Sequence, residues 1–358
     1  MTVAGKSRAD GDPHAGPDTG DRDTGDPRTA MPARRADPFA RPDKSDRQAH
    51  RWHLVRVGLA VGYGLGAAAY IVLVKLPTDR NSLSVAVIAA LAVRCVGRNW
   101  RSYVQVVIDW FPFIGILILY DKTRGIADDL GIPVHVRVPA DFDEWLGGGT
   151  LPSYFLQQHL YTPGVTHWYD ACVTLVYTSH FLAMPTVGAV LWMRNRPAWG
   201  AFIRRIIAMS VIGLGGYILY PAAPPWYAGQ QGVVPPLIRL SSRGWFELRM
   251  PHAGDLLAGA QAGANAVAAV PSLHTATATI VTVFLVPRVW KWLRPIIALY
   301  PLAMGFVLVY AGEHYIFDVL LGYLTALIVL VGVSALERWW RNRESRDAVA
   351  SGAAEPAT

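Results

Sequence analysis

Charge is scarce in this chain. Only 16% of its 358 residues are Asp, Glu, Lys or Arg while 52% are hydrophobic, too apolar a balance for a soluble domain of this length. A secreted globular enzyme is excluded. Cysteine is scarcer still: Cys95 and Cys172 both fall inside apolar runs, so two buried free thiols are expected, with neither a disulfide framework nor a structural zinc site. The phosphate-cradling pattern GxxxxGK[ST] is absent, no internal repeat is visible, and no alternating strand pattern is long enough to name. The first 50 residues lack any apolar run and are crowded with Asp, Arg, Pro and Gly. Such a stretch cannot bury enough surface to offset its ordering entropy, so residues 1–50 are expected to be a disordered cytoplasmic tail. A signal peptide is not expected, because the first apolar run begins only after Arg51 and is too long for one.

Long apolar runs are what the chain has instead. A bilayer core takes about 20 apolar residues per helix, and eight helices are expected near 54–75, 82–97, 103–120, 168–193, 199–220, 270–287, 295–312 and 316–336. The fold class is therefore all-α, a polytopic integral membrane bundle, with residues 337–358 as a second polar tail. Basic residues gather in alternate connections: Arg94, Arg98 and Arg101; Arg194, Arg196, Arg204 and Arg205; Arg288, Lys291 and Arg294; Arg338, Arg341 and Arg343. Cytoplasmic loops carry the positive excess, so these ends face inward, both termini are cytoplasmic, and the long loops 121–167 and 221–269 face outward. Membrane orientation also accounts for the net charge of +7 without a nucleic-acid partner. The expected division is residues 51–167 as N-terminal membrane helices plus the first outer loop, and residues 168–336 as the catalytic membrane domain.

Ionisable side chains at membrane depth cost free energy, so those that persist there are functional candidates. Two segments stand out. In Ala269-Val270-Pro271-Ser272-Leu273-His274-Thr275-Ala276, Pro271 opens a helix at the outer face, where exposed N–H groups, the Ser272 hydroxyl and the His274 imidazole could together hold an anion. The second segment runs from Gly312 through Glu313, His314 and Tyr315 to Asp318 and Gly322. His314 and Asp318 are four apart and share a helix face, which lets the carboxylate accept Nδ1–H and leaves Nε2 free to attack.

Pro271-Ser272-Leu273-His274, followed some forty residues later by His314-Tyr315 and Asp318, resembles the paired signature of the type-2 phosphatidic acid phosphatase superfamily. Ala223-Pro224-Pro225-Trp226 upstream resembles its inositol phosphorylceramide synthase branch. The resemblance covers roughly residues 168–336 and implies a six-helix catalytic core. It also implies metal-independent, cofactor-free transfer through a phosphohistidine. His314 would be the nucleophile, Asp318 would orient it, and His274 would protonate the leaving alcohol and deprotonate the acceptor. Substrates would be a phospholipid or polyprenyl phosphate at the outer leaflet of the plasma membrane. The chain departs from the phosphatase pattern at Leu308, where that pattern has Arg, and at Leu273, where it has Gly. The Lys…Arg-Pro motif is absent too. Its clamp on the phosphate would pass to Arg239, Arg243 or Arg249, and the departures favour the synthase-like branch over a plain phosphatase.

Other polar residues are expected to be structural. His180 reads as a packed interhelical hydrogen-bonder, Asp109 and Asp170 as ion-paired or interfacial, and Asp141-Phe142-Asp143-Glu144 as an acidic surface stretch more than a metal motif. Trp168, Trp192 and Trp226 read as interfacial anchors. The competing readings are a lipid phosphate phosphatase with water as acceptor, a metal-dependent lipid-linked-sugar glycosyltransferase using residues 141–144, and a transporter in which the two histidines and Asp318 form a proton path.

Overall fold

The computed structural model describes residues 47–73, 80–262 and 266–353. The tail expected over residues 1–50 lies outside the described residues as far as residue 46, and from Arg47 the chain is already helical. All eight expected runs fall on helices. They are α1 (Arg47–Leu73), α2 (Arg80–Val93), α3 (Trp100–Asp129), α6 (Trp168–Arg194), α7 (Arg196–Leu219), α11 (Leu273–Leu285), the pair α12 (Arg294–Ala298) and α13 (Tyr300–Tyr310), and α14 (Ile316–Ala353). Four stretches among the described residues are long and apolar enough to cross a membrane: Trp168–Arg194, Arg196–Leu219, Lys291–Tyr310 and Ile316–Asp347. Only isolated β-bridges, and no strands, occur among the described residues. The protein is an all-α integral membrane bundle.

The long loops 121–167 and 221–269 are more ordered than their composition announces. The first carries α4 (Arg137–Leu146) and α5 (Pro152–Leu160), and the second carries α8 (Pro225–Gln230), α9 (Gly244–Glu247) and α10 (Pro251–Ala262). At the other end α14 does not stop at residue 336. It continues to Ala353 through a run rich in helix formers, with an i,i+4 Arg343–Asp347 pair on its exposed surface. Two smaller expectations are corrected. Cys172 is exposed on α6, because its neighbours Ala171 and Val173 take the inward positions. Trp192 is buried, not an interfacial anchor, and donates its indole N–H to Asp109 at 2.7 Å. Asp109 is ion-paired with Arg196, as expected of it.

The outward face of α14 is apolar, while small and polar side chains stand among those on its inward face. On α14, Leu320, Leu324, Leu327, Ile328 and Val331 are exposed while Asp318, Thr325, Ala326 and Val329 are buried. Lipid is as apolar as leucine, so helices associate here through close van der Waals contact, which small residues permit. Two glycines allow close approach to the segment that opens α11. A Cβ on Gly322 of α14 would lie 2.3 Å from the Ser272 carbonyl oxygen and 2.1 Å from Thr275 Oγ1. A Cβ on Gly216 of α7 would lie 2.7 Å from the Pro271 ring. The Pro271–Thr275 segment is thus gripped between two helices that carry no side chain at the contact.

The far end of α14 is fastened separately. Glu337 accepts hydrogen bonds from Arg204 and Arg205, and Arg205 also reaches the Ser334 hydroxyl at 2.7 Å. Ile316 and Glu337 are separated by about 30 Å of helix, one hydrocarbon thickness.

The two long loops are laced together over the start of α14. His135 N–H donates to the Pro221 carbonyl at 2.8 Å, and Ala223 N–H returns to the His135 carbonyl at 3.0 Å. The Gln157 side chain donates to the carbonyls of Ile238 and Tyr310 and accepts from Ile238 N–H, tying α5 to the second loop and to α13. Asp143 of α4 is fully buried, against the expectation of a surface acidic stretch, while Asp141 stays exposed opposite Arg137. The Asp143 carboxylate accepts the N–H groups of Ile316 at 2.8 Å and Phe317 at 3.0 Å, so a helix from the loop caps the first turn of α14.

Two outcomes follow from these contacts. Gly322→Ala should destabilise the detergent-solubilised protein by about 1–3 kcal/mol, the range for an overpacked core, and lower its activity; an unchanged melting temperature would show that α11 and α14 can separate freely. Burial pushes the Asp143 carboxyl up to about 6, against the two N–H donors and with a further push from Asp318. A carboxyl that holds its proton more tightly when folded favours folding at low pH and loses that contribution as pH rises from about 4 to about 6. Wild-type melting temperature should therefore fall relative to that of Asp143→Asn across this window, and parallel curves would show that Asp143 does not titrate there.

Candidate active site

The second histidine owes its position to the way α13 ends. Gly312 takes a φ of +70°, the left-handed conformation glycine adopts without penalty. Gly312 N–H then donates to the Val309 carbonyl and Glu313 N–H to the Leu308 carbonyl, the doubled pattern that closes a helix. The chain reverses, and His314 emerges two residues before α14 begins at Ile316. His314 is therefore not on the helix. It meets Asp318 through capping geometry: Oδ2 of Asp318 accepts the Tyr315 N–H at 3.0 Å and lies 3.2 Å from His314 Nδ1. Asp318 is fully buried and His314 nearly so.

The first histidine stands at the opening of α11, one residue after Leu273. Ser272 is the N-cap residue, but its hydroxyl makes no capping bond. Its N–H instead donates to the Asp318 main-chain carbonyl at 3.1 Å, which joins the start of α11 to the start of α14. The rings of His274 and His314 come to rest with centroids 5.5 Å apart. Three polar atoms around them, Ser272 Oγ, His274 Nε2 and Asp318 Oδ1, are buried without a hydrogen-bond partner. Unpartnered buried polar atoms are uncommon, and each calls for an explanation such as a ligand.

The outer-loop arginines separate into three fates. Arg239 donates from Nε and Nη2 to the two oxygens of Glu313, both at 2.8 Å, lies over the Trp226 ring at 4.9 Å, and is hydrogen-bonded to Tyr177. Arg243 is committed elsewhere: it donates to Asp170 at 3.3 Å and to the carbonyls of Thr162 and Val165. Asp170 opens α6 about 15 Å along the helix from His180. Arg249 sits exposed in the turn after α9 with a φ of +56°. Of the three, Arg239 alone joins the network around the histidines.

Several residues of this site had no assigned site role in the sequence. His180 packs its ring 4.1 Å from that of His274, and its Nδ1 is buried without a partner, so it is a ring neighbour of the site and not an interhelical hydrogen-bonder. Tyr177 stacks on His274 at 5.2 Å. Gln261 of α10 donates to Tyr177 Oη at 3.0 Å, to Ser241 Oγ at 2.7 Å and to Glu313 at 3.1 Å. Ser241 also donates to Glu313, through a very short bond. One signal was available: Glu313 is an acidic residue beside a candidate nucleophile at membrane depth. Among the described residues no three His, Cys, Asp or Glu side chains gather as a metal-ligand set.

Comparison with known proteins agrees with the arrangement. A phosphoinositol dihydroceramide synthase of Bacteroides thetaiotaomicron is 33% identical over 174 residues, 46% of this chain. The match spans 56% of that protein, a little over half its length. No solved structure matches. The profile of the PAP2 superfamily matches residues 142–332, starting upstream of the expected boundary at residue 168 and so taking in Asp143 of α4. That span is more than half of the chain and contains both histidines and Asp318, and the protein belongs to the PAP2 superfamily.

Proposed function

We propose that this protein is a membrane phosphotransferase. It takes a phospho-head group, inositol phosphate foremost, from a phospholipid or polyprenyl phosphate donor and passes it to an alcohol acceptor through a phosphohistidine. The observation that carries the proposal is the meeting of His274 with the His314–Asp318 pair, 5.5 Å between rings, around three buried polar atoms without partners. One phosphoryl group about 3 Å from each ring would touch both.

In the first half-reaction Nε2 of His314 attacks phosphorus as the ester bond to the lipid alcohol breaks. His274, protonated, gives its proton to the departing oxygen. Asp318 accepts Nδ1–H and stabilises the positive charge that develops on the His314 ring. In the second half-reaction the acceptor hydroxyl gives its proton to His274 while its oxygen attacks phosphorus and the phosphorus–nitrogen bond breaks. Both imidazoles then return to their starting states. The Ser272 hydroxyl and the N–H groups opening α11 are placed to receive the phosphoryl oxygens, where the helix dipole favours negative charge. Arg239 lies beside the site with its charge held on Glu313.

The relative's name supports an inositol-containing head group and a transferase, and water in place of the alcohol would turn the same groups into a phosphatase. The basic residues near the Glu337 end of α14 support an outward-facing site in the plasma membrane, with both termini in the cytoplasm.

His314→Ala should abolish turnover, and His274→Ala should slow it by about 10²-fold or more, the contribution of a general acid. Asp318→Asn should lose much of the rate while the protein remains folded, and wild-type activity in that variant would remove the orienting role. Labelled phospholipid should leave a base-stable, acid-labile adduct on His314 and yield a new phosphodiester lipid. Free phosphate as sole product would make the protein a phosphatase, and loss of turnover in EDTA would point to the metal-dependent alternative.

A further inference from the structure

The carboxylate of Glu313 precedes the nucleophile by one residue and is 6% exposed. It receives both arms of the Arg239 fork, the Ser241 hydroxyl and the Gln261 amide. Through Gln261 and Tyr177 this network runs to the face of His274. The arginine that reaches the imidazoles thus arrives with its own counterion, fixed by four donors. Arg243 is held on Asp170 and Arg249 is exposed, so neither adds an uncompensated charge beside the histidines.

A phosphomonoester brings close to two negative charges at neutral pH, its second pKa being about 6, whereas a phosphodiester brings one. In a site of low effective dielectric the protonated His274 of the proposed reaction balances the first charge, and the Glu313–Arg239 pair, neutral as a whole, offers no net positive charge to the second. An Arg239 freed of Glu313 would attract that second charge; at a separation of about 7 Å and an effective dielectric of about 20 this corresponds to roughly 10- to 100-fold in binding or rate.

From this we infer that the Glu313–Arg239 pair is a charge filter that selects monoanionic phosphodiester lipids over dianionic phosphomonoester lipids. The inference rests on the proposed phosphotransfer at His314 and names its substrate class. Glu313 acts through the cancelled charge of Arg239 and is a specificity-determining residue.

The test uses the full chain in mixed micelles with two probes of matched acyl chains, phosphatidylinositol as diester and phosphatidic acid as monoester. Cleavage at the glycerol oxygen releases diacylglycerol from both, so a single product reports both rates. Wild type should favour the diester by 10-fold or more in kcat/KM at pH 7.5. Glu313→Gln, which leaves Arg239 uncompensated, should lower that preference by at least 10-fold, and the double variant Glu313→Gln with Arg239→Gln should restore it. A merely structural role for Glu313 would depress both substrates together and leave the ratio unmoved. Equal wild-type rates, or a preference for phosphatidic acid, would overturn the filter while leaving phosphotransfer intact. Should Glu313→Gln fail to fold, Arg239→Lys, which keeps the charge and loses the fork, should still weaken the preference, and an unmoved ratio there would also overturn the filter. Absence of diacylglycerol from either probe would overturn the phosphotransfer reading itself.

Discussion

Asp318 holds the site together. Its main-chain carbonyl takes the Ser272 N–H, one carboxylate oxygen takes the Tyr315 N–H, and the same oxygen faces His314 Nδ1. One buried residue therefore joins the opening of α11, the opening of α14 and the imidazole between them. A carboxylate inside a membrane protein is costly unless it is fully hydrogen-bonded. The opening of α14 supplies one N–H donor to the carboxylate, and the opening of α11 is tied to the main chain of the same residue, so the bonds that hold Asp318 also fix the position of His314.

Asp143 extends this logic to the outer loops. Tyr315, Ile316 and Phe317 present three successive N–H groups, the first bound by Asp318 and the next two by Asp143 from α4. The N-terminus of α14 is thus already occupied by two carboxylates and offers an anion little. The opening of α11 differs, with Ser272 Oγ and His274 Nε2 still unpartnered. Two helix openings lie side by side, one filled by protein anions and one left open to a substrate anion. That asymmetry suits the proposed chemistry: His314, the proposed nucleophile, stands on the filled side and His274, the proposed proton donor, on the open side.

The sequence disclosed what is local. Apolar runs marked every long helix because a bilayer imposes their length, and the Pro271–His274 and His314–Asp318 segments carried their chemistry in short spacing. Yet the His314–Asp318 contact arises from a helix cap and not from a shared helix face, because Gly312 ends α13 so late that α14 cannot begin before Ile316. What remained hidden depends on chain crossings. Asp143, Gln157 and Gln261 lie far in sequence from the groups they bind, and nothing in Asp141–Glu144 distinguishes the buried third member of the stretch from its exposed first. The arginines make the same point. Arg239, Arg243 and Arg249 were equivalent as outer-loop cations until tertiary structure gave one to Glu313 and one to Asp170 and left one exposed.

The unpartnered atoms at the site also bear on energetics. A buried polar atom without a hydrogen bond costs about 1–3 kcal/mol, and Ser272 Oγ, His274 Nε2 and Asp318 Oδ1 are three of them within one small region. Gly322 and Gly216 keep this region tightly gripped, so it cannot relax by spreading the helices apart. The cost is therefore held in place until a group arrives that can accept from Ser272 Oγ and from His274 Nε2. On the proposed mechanism a phosphoryl group would meet that requirement best when its charge spreads over equatorial oxygens and its leaving oxygen needs a proton, which describes the transition state more closely than the resting ester. Rigidity at the glycine contacts and unsatisfied polarity at the histidines then act in concert, favouring the reacting geometry over the bound substrate.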